Sequence, residues 1–179
     1  MAKEKVFDAL LVLQYRSGNK KALGLLVKRH HHQMCRHSYS FTRDIDSSKD
    51  IVQDCWSIII NKIDFLKDPN VFGSWAMRIV TRKSLDFVNK RTRERQEKNT
   101  LPIEDENSSE EKRTIFIELQ KAIAGLPQDQ QTVLRLFYTQ EYSLKEIASI
   151  LDVSVGTVKS RLFHAREKLK TVLKVKKDA

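Results

Sequence analysis

Residues 142–170 constrain the fold of this chain most, because they have the pattern of two helices separated by a tight turn. Ser143 and Glu146 fit the capping box that satisfies backbone donors at the start of a helix. Ser154 is placed to cap a second helix, which leaves only residues 152–153 as the connection. Two helices joined so closely form a helix-turn-helix, whose second helix enters the major groove of duplex DNA.

The second of these helices has two faces of different composition when successive residues are placed about 100° apart. Apolar residues form the expected packed seam: Val158, Leu162, Ala165 and Leu169. The opposite face combines a glycine, a cation, a hydroxyl, an aromatic ring and an imidazole: Gly156, Lys159, Ser160, Phe163 and His164. This composition suits close approach to a groove, whereas a merely solvated face would carry mainly Glu and Lys. The alternative is an ordinary amphipathic helical hairpin.

Charge favours a polyanionic partner, because the 179 residues carry a formal net charge of +10. The charge is concentrated in two blocks. Residues 78–98 hold eight Lys and Arg against three acids, and residues 159–177 hold eight against one. Two separate basic blocks predict two contacts with nucleic acid.

Several classes of protein are excluded by what the sequence lacks. It has no apolar run long enough for a membrane helix, and residues 1–18 read as an amphipathic first helix instead of a signal peptide. Its two cysteines form no disulfide-framework pattern, which fits a reducing cytoplasm. It has no glycine-rich phosphate loop, no nucleophile elbow and no obvious pair of catalytic carboxylates. We therefore expect neither an enzyme nor a cofactor.

Helical spacing predicts an all-α chain of two small helical domains joined by a flexible acidic linker. The N-terminal domain spans 1–95, with helices at 7–13, 22–41, 49–63 and 72–93. Asp46 or Ser47 is expected to cap the third of these helices. The linker, 96–112, contains Pro102 and the acidic run EDENSSEE. The C-terminal domain, 113–175, is predicted to begin with helices at 115–124 and 127–138, which precede the helix-turn-helix.

A histidine-rich segment, RHHHQMCRH at residues 29–37, raises the question of a metal site. His31 and Cys35 are four residues apart and could share a helix face with zinc, with His37 close by. Helical spacing, however, places His30 and Met34 on the apolar face, where a hydrogen-bonded core histidine is the commoner occupant. We therefore assign no metal, expect the other histidines to be solvated, and keep zinc as the alternative.

Two further segments each favour a binding face over a simple alternative. In DIVQDCWSIIINKI, residues 50–63, the apolar positions predict a buried face, and a polar edge remains for a basic protein groove or for solvent: Asp50, Gln53 and Asp54. In residues 71–95, aromatic residues alternate with cations, a combination used to hold single strands. Trp75 is expected to be mostly packing, and the basic residues from Arg82 onward to make the contacts.

Taken together, three motifs in this order resemble the extracytoplasmic-function (ECF) group of the sigma-seventy family of RNA polymerase sigma factors. They are DIVQDCW, F-x-x-W-x-x-x-I at 72–79 followed by Leu85-Asp86, and LPQDQQTVLRLFY with YSLKEIASILDVSVGTVKSRLFHAREKL. The resemblance extends from about residue 7 to residue 170. A lone helix-turn-helix would be weakly specific, but the ordered set with an acidic linker is strongly so.

The resemblance implies that the N-terminal domain binds core RNA polymerase through residues 49–63. Asp50, Gln53 and Asp54 match positions that face the clamp helices of the large polymerase subunit. The same domain is expected to open the minus-ten element and hold it as single-stranded DNA, with the loop at 67–71 capturing an extruded base. The residues assigned to this contact are Lys67, Asn70, Phe72, Trp75, Arg78, Arg82, Lys83, Lys90 and Arg91.

The C-terminal domain is implied to read the minus-thirty-five element as duplex DNA. The residues assigned to this contact are Ser154, Thr157, Lys159, Ser160, Arg161, Phe163 and His164. Three positions depart from the family pattern: Arg82 stands where Asn is frequent, Cys55 where an aliphatic residue or Thr is usual, and His164 where Arg is common. The acidic linker is expected to run towards the RNA exit path of the polymerase.

The resemblance thus implies a transcription initiation factor that directs core RNA polymerase to specific promoters and helps melt the minus-ten element. Such a factor works in the bacterial cytoplasm, associates with the nucleoid in the holoenzyme, does not insert into membranes, and is commonly held by an anti-sigma factor. One alternative is a stand-alone helix-turn-helix regulator that never joins polymerase. Another is a degenerate sigma fold retained only to bind a protein partner.

Overall fold

The computed structural model describes the backbone of residues 2–98 and 119–175, with side chains described for 4–93 and 119–171. Every regular element in these ranges is a helix, so the prediction of an all-α fold is confirmed. The chain divides into two units, one built mainly from the helices before residue 99 and the other mainly from those after residue 118. None of the described helices is long and apolar enough to cross a membrane.

The N-terminal unit is a bundle of four helices, α1 to α4. Their bounds are Ala2–Arg16, Lys20–Thr42, Ile45–Lys62 and Phe72–Lys98. Two single-turn 3₁₀ helices, Ile63–Phe65 and Pro69–Val71, lie in the loop between α3 and α4. Because α4 continues to Lys98, it includes the first residues of the predicted linker; the rest of that linker lies outside the described residues.

Local side chains set where these helices begin and end. Gly18 has a φ of +95°, a conformation that favours glycine and ends α1. The side chain of Asn19 then accepts a hydrogen bond from the backbone N–H of Lys21 and caps α2. The prediction that Asp46 or Ser47 caps α3 is wrong. Asp44 is the extended residue at this helix start, and its carboxylate accepts the N–H of Ser47 at 2.9 Å.

The core of the N-terminal unit is apolar, with a few polar side chains that hydrogen-bond to one another. Its most deeply buried members come from all four helices: Leu11, Val12, Leu26, Met34, Val52, Ile59, Phe72, Met77 and Val80. His37 is buried among them, with Nε2 2.8 Å from Thr81 Oγ1. The expectation that His37 is solvated was therefore wrong, because a hydroxyl on α4 satisfies its ring.

The C-terminal unit contains four described helices, which we number α5 to α8. Their bounds are 119–124, Gln128–Leu134, Leu144–Leu151 and Val155–Val175. A π-helical turn, Arg135–Thr139, continues α6 where a single regular helix was predicted. Most of its buried apolar residues come from three of the helices and this turn, among them Val133, Leu134, Leu136, Ile147, Val158, Leu162 and Ala165.

The turn between α7 and α8 forms as predicted. Ser143 and Glu146 make the reciprocal hydrogen bonds of the capping box. Asp152 follows α7 with a φ of +58°, and Ser154 Oγ accepts the N–H of Thr157 at 3.0 Å to start α8. The short connection and its two caps confirm the predicted helix-turn-helix.

Candidate functional site

The outer face of α8 presents the side chains that the sequence placed opposite the packed seam. Val158, Leu162 and Ala165 are buried, and Leu169 is half-buried. On the other side Lys159, Ser160, Phe163 and His164 are all exposed, and 59% of Phe163 is accessible to solvent. The Phe163 and His164 rings stand edge to face with centroids 5.5 Å apart. This face therefore offers a cation, a hydroxyl and two rings at one surface.

Three other residues assigned to the duplex contact already have partners within the C-terminal unit. Ser154 Oγ lies 2.9 Å from Thr157 Oγ1 as well as accepting the Thr157 N–H. Arg161 is half-buried, and its Nε lies 2.9 Å from Asp129 Oδ2 on α6. Ser154 and Thr157 therefore hold the start of α8, and Arg161 joins α8 to α6.

An aromatic pair beside α8 was missed by the sequence reasoning. The Arg166 guanidinium lies 5.7 Å from the ring centroid of Phe137 and 5.5 Å from that of Tyr138. Tyr138 is 58% exposed, so its ring forms part of the surface next to α8. The π-helical turn carries both rings, and no pattern in the sequence indicated where that turn would place them.

The outer edge of α3 is acidic, and its inner face is buried. Asp50, Gln53 and Asp54 are exposed. The inner face consists of Ile51, Val52, Cys55, Trp56 and Ile59, with Ile58 half-buried. Burial raises the pKa of the Cys55 thiol to about 12; nearby Lys83 opposes this rise and Asp54 adds to it. The predicted polar edge thus lies on the surface of a firmly packed helix.

The loop between α3 and α4 projects polar and aromatic side chains. Lys67 and Asn70 are exposed, and Asp68 Oδ1 accepts both the backbone N–H and the side-chain amide of Asn70 at 2.9 Å. Phe65 is 81% exposed, and the sequence reasoning did not single it out. An aromatic ring so exposed beside a lysine can stack on a base, so Phe65 belongs with this candidate site.

Phe72, which the sequence analysis assigned to the single-strand contact, is fully buried. Its ring stands edge to face with His30 at 5.3 Å and lies 6.1 Å from the Trp75 ring, both measured between centroids. Its side chain therefore supports the start of α4 from inside and presents no face to a base. Periodicity alone could not separate this packing role from a stacking role.

The rest of the predicted single-strand contact lies along α4. Trp75 and Arg78 are partly exposed, and four more cations are exposed: Arg82, Lys83, Lys90 and Arg91. They occupy one helix with a rise of about 1.5 Å per residue. The structure thus places these cations on the helix that directly follows the Phe65 loop.

The carbonyls of this loop are held by Arg16, the last residue of α1. Its Nη2 donates to Ile63 O at 2.5 Å and to Leu66 O at 2.6 Å, and its Nε donates to Ile63 O at 3.2 Å. In addition, α1 packs against the Pro69–Val71 turn. These contacts join residues almost fifty positions apart, so no local sequence signal could have found them.

The histidine-rich segment is divided among separate partners. His30 Nε2 lies 2.9 Å from Asp8 Oδ2, and His37 bonds to Thr81. His31 Nδ1 accepts from the Trp56 indole at 3.3 Å, and its Nε2 lies 3.5 Å from Cys35 Sγ. Across the described part of the chain, no three side chains of the metal-binding types come together.

The described residues thus present two exposed surfaces that combine cations with aromatic rings, and one exposed acidic edge on α3. Family models cover both units: sigma-70 region 2 matches residues 26–94, and sigma-70 region 4 matches residues 116–169. The curated relatives include the ECF RNA polymerase sigma-E factors of Haemophilus influenzae and Escherichia coli K12. Each is 29% identical over 92% of this chain, covering 94% and 93% of the relative respectively.

Solved structures show the same architecture. One is CnrH, solved in complex with the cytosolic domain of CnrY. Its chain is 26% identical to this one and superposes with a TM-score of 0.70, and the match covers 94% of this chain and 98% of the CnrH structure's chain. The sigma factor RpoE in complex with the anti-sigma factor NepR, from Bartonella quintana, is 24% identical with a TM-score of 0.71. This match covers 87% of the present chain and 98% of the matched chain in that structure. The chain therefore belongs to the sigma-70 family, in its ECF group, as the motifs indicated.

Proposed function

We propose that this chain is a transcription initiation factor that binds core RNA polymerase, directs it to specific promoters and helps melt the minus-ten element. One observation carries the proposal: the chain has two exposed surfaces suited to DNA. The first is the outer face of α8, and the second consists of the Phe65 ring in the loop and the cations of α4. These two surfaces lie within the matched sigma-70 regions. A stand-alone regulator would need the first surface and not the second.

The face of α8 suits direct reading of duplex DNA at the minus-thirty-five element. A helix in the major groove reads donors, acceptors and methyl groups on base edges. Lys159 can donate to guanine or phosphate oxygens, Ser160 can donate or accept, and Phe163 can contact a thymine methyl. Arg161 stands beside this face, where its ion pair with Asp129 holds it. Ser154 and Thr157 contribute chiefly by stabilising the start of α8, where the Ser154 hydroxyl accepts the Thr157 N–H.

The loop and α4 suit capture of an unpaired strand at the minus-ten element. Taking a base out of the stack costs a few kcal/mol, and stacking on an aromatic ring returns about 1–3 kcal/mol. Phe65 offers that ring, with Lys67 and Asn70 beside it. The phosphates of the strand then follow the cations of α4, with Arg78, Arg82 and Lys83 nearest the loop. Phe72 keeps the start of α4 in place from the core.

The acidic edge of α3 suits docking on a basic groove of core polymerase. Asp50, Gln53 and Asp54 are exposed on a helix whose opposite face is locked into the core. Complementary charge across such a contact raises the association rate and fixes the register of the two surfaces. Binding the two DNA elements through one chain then raises the effective concentration of the second contact once the first has formed.

The chain itself is no enzyme in this proposal, because the polymerase supplies the chemistry and this chain supplies specificity and opening. It acts in the bacterial cytoplasm, on the nucleoid when it is part of the holoenzyme. An anti-sigma protein is the expected regulator. Support comes from the two solved relatives above, each determined in complex with a protein partner, one of them named an anti-sigma factor.

Run-off transcription tests the proposal. Purified core RNA polymerase is supplied with genomic fragments of the source bacterium, with and without this chain, and the 5′ ends of the transcripts are mapped. We expect discrete start sites that appear only when the chain is present and that share two upstream elements. Repression, or no change in the transcripts, would favour a stand-alone regulator and contradict the proposal.

A further inference from the structure

We propose that Arg16 is a positioning residue for strand capture: it fixes the loop that carries Phe65 in the conformation that receives an unpaired base. The inference rests on the proposed function, since it assigns a role within the same contact. The side-chain hydrogen bonds of Arg16 described above all go to the loop between α3 and α4. Arg16 acts through the backbone carbonyls of Ile63 and Leu66, because its guanidinium donates hydrogen bonds to both.

The geometry suits arginine in particular. Carbonyls at the end of a helix lack intrahelical partners and need donors from elsewhere. The planar guanidinium directs Nε and Nη2 from one rigid fork, so it can hold two carbonyls at a fixed separation. The Ile63 and Leu66 carbonyls are the two ends of one 3₁₀ turn. Holding both ends fixes the backbone between them.

Arg16 can fix the loop because α1 itself is held firmly. Leu11 and Val12, on the turn before Arg16, are 2% and 0% exposed. Arg16 is partly buried at the C-terminus of α1, where the helix dipole favours a cation. Because α1 also packs against the Pro69–Val71 turn, it supports both halves of the loop.

Phe65 is the residue that needs this support. At 81% exposure its ring has few packing partners, so burial does not hold it in place. An unsupported loop would have to lose conformational entropy whenever it captures a base, and that loss would weaken binding. With the carbonyls on both sides of Phe65 tied to α1, the loop is ordered before DNA arrives. The affinity for a single strand therefore depends on Arg16.

The experiment uses holoenzyme assembled from core polymerase and the full chain, with a promoter mapped by run-off transcription. Two probes are compared: the non-template single strand of the minus-ten element, and a duplex containing only the minus-thirty-five element. For Arg16→Ala we expect affinity for the single strand to fall by about tenfold, the scale of one charge-assisted hydrogen bond. Affinity for the duplex should stay within about twofold, because α8 is unchanged. Arg16→Lys should recover part of the loss, since an ammonium can still donate to a carbonyl.

A double-mutant cycle tests whether Arg16 acts through Phe65. If it does, Arg16→Ala should add little to the loss already caused by Phe65→Ala, because removing the ring removes what the loop positions. Amide exchange supplies a readout that needs no DNA. The Leu66 N–H, which bonds to Ile63 O at 3.3 Å, should exchange faster in Arg16→Ala, while amides of α7 and α8 keep their rates.

Ser17→Ala is the matched control, because it removes the Ser17 Oγ bond to Leu13 O at 3.0 Å and loosens the same helix end without touching the loop. It should leave single-strand affinity within about twofold. Wild-type affinity in Arg16→Ala, equal losses on both probes, or strictly additive losses with Phe65→Ala would overturn the inference. Absence of specific transcripts from the wild-type holoenzyme would instead refute the proposed function, and the amide-exchange result would still report on Arg16.

Discussion

Asp129 and Arg161 form an ion pair between α6 and α8, with 2.9 Å between Asp129 Oδ2 and Arg161 Nε. The side chains are 44% and 29% exposed, so the pair lies at the edge of the packed seam. It holds the Arg161 guanidinium against α6, within the C-terminal unit.

Replacement of Asp129 by Asn should therefore release Arg161 to DNA. We expect tighter binding to any duplex, with log K falling more steeply against log salt by up to about 0.9, the value for one added phosphate contact. Salt titration of the full chain on a short duplex measures this slope. Glu141→Gln, at an exposed side chain of the same unit, gives the same change in net charge, and if it produces an equal change, the effect is one of general charge.

Substitution of Lys159 by Ala tests the reading face itself. Lys159 is exposed, and its loss should weaken binding to a minus-thirty-five duplex and make the salt slope shallower by about 0.9. Lys170→Ala is the comparison, because Lys170 is paired with Glu167 at 2.8 Å on the same helix. An unchanged affinity and slope for Lys159→Ala would remove Lys159 from the contact.

Charge reversal at Asp54 tests the docking edge. Asp54→Lys puts a cation where a basic groove is expected, so the affinity for core polymerase should fall by tenfold or more, on the scale of about 1.4 kcal/mol. Thermal unfolding should change little, because Asp54 is exposed. Glu141→Lys makes the same change of charge in the other unit. Equal retention of both variants on immobilised core would show that the edge is misplaced.

The ionisation of Asp8 should make the fold less stable in acid. Burial raises its pKa, but hydrogen bonds and charges from His30 and Arg29 outweigh that effect and hold the pKa below the usual range. Since the folded-state pKa lies below the unfolded value of about 3.9, the ionised group stabilises the fold above that pH. The contribution disappears as pH falls through the folded-state pKa.

Asp8→Asn should accordingly lower the free energy of unfolding by about 1–3 kcal/mol at pH 7, since it weakens two charge-assisted bonds of a buried group. The difference from wild type should shrink as pH drops below about 4. Urea unfolding at several pH values measures both. Asp46→Asn, at a side chain that is 90% exposed, is the control, and a pH-independent difference for Asp8→Asn would contradict the assignment.

The two cysteines should differ in reactivity. Cys55 is fully buried, and its pKa of about 12 keeps it a thiol near neutrality. Cys35 is half-buried, with a pKa that burial also raises and Lys49 partly restores. With a disulfide reagent at pH 8, Cys55 should react more than about a hundredfold slower than a free cysteine, and Cys35 should react first. In Cys35→Ser only the slow reaction should remain, until denaturant exposes Cys55.

How much the sequence predicted depended on the range of the interactions involved. The caps at Ser143 and Ser154 were found because donor and acceptor are three residues apart, so spacing alone determines them. The cap of α3 was misplaced because Asp44, Asp46 and Ser47 all have suitable side chains. Only the backbone conformation, extended at Asp44, selects among them.

The interactions that escaped the sequence analysis span long stretches of chain. Phe72 has the same spacing whether it packs inward or faces DNA, and only contact with His30 decides the matter. His37 found its partner 44 residues away in Thr81, and Arg16 found its carbonyls 47 and 50 residues away. The resemblance to sigma factors predicted which helices meet the partners. It did not reveal what holds the loop.

The shared hydroxyl at the start of α8 limits how promoter preference can be re-engineered. Ser154 Oγ accepts the Thr157 N–H, and the two hydroxyls lie 2.9 Å apart. Replacing Ser154 would remove the helix cap and cost about 1 kcal/mol of stability. Variants at this position would therefore change stability and recognition at the same time. Capping of α8 does not depend on the four exposed residues of its outer face: Lys159, Ser160, Phe163 and His164. Orthogonal variants for synthetic circuits should therefore diversify these four and keep residue 154 constant.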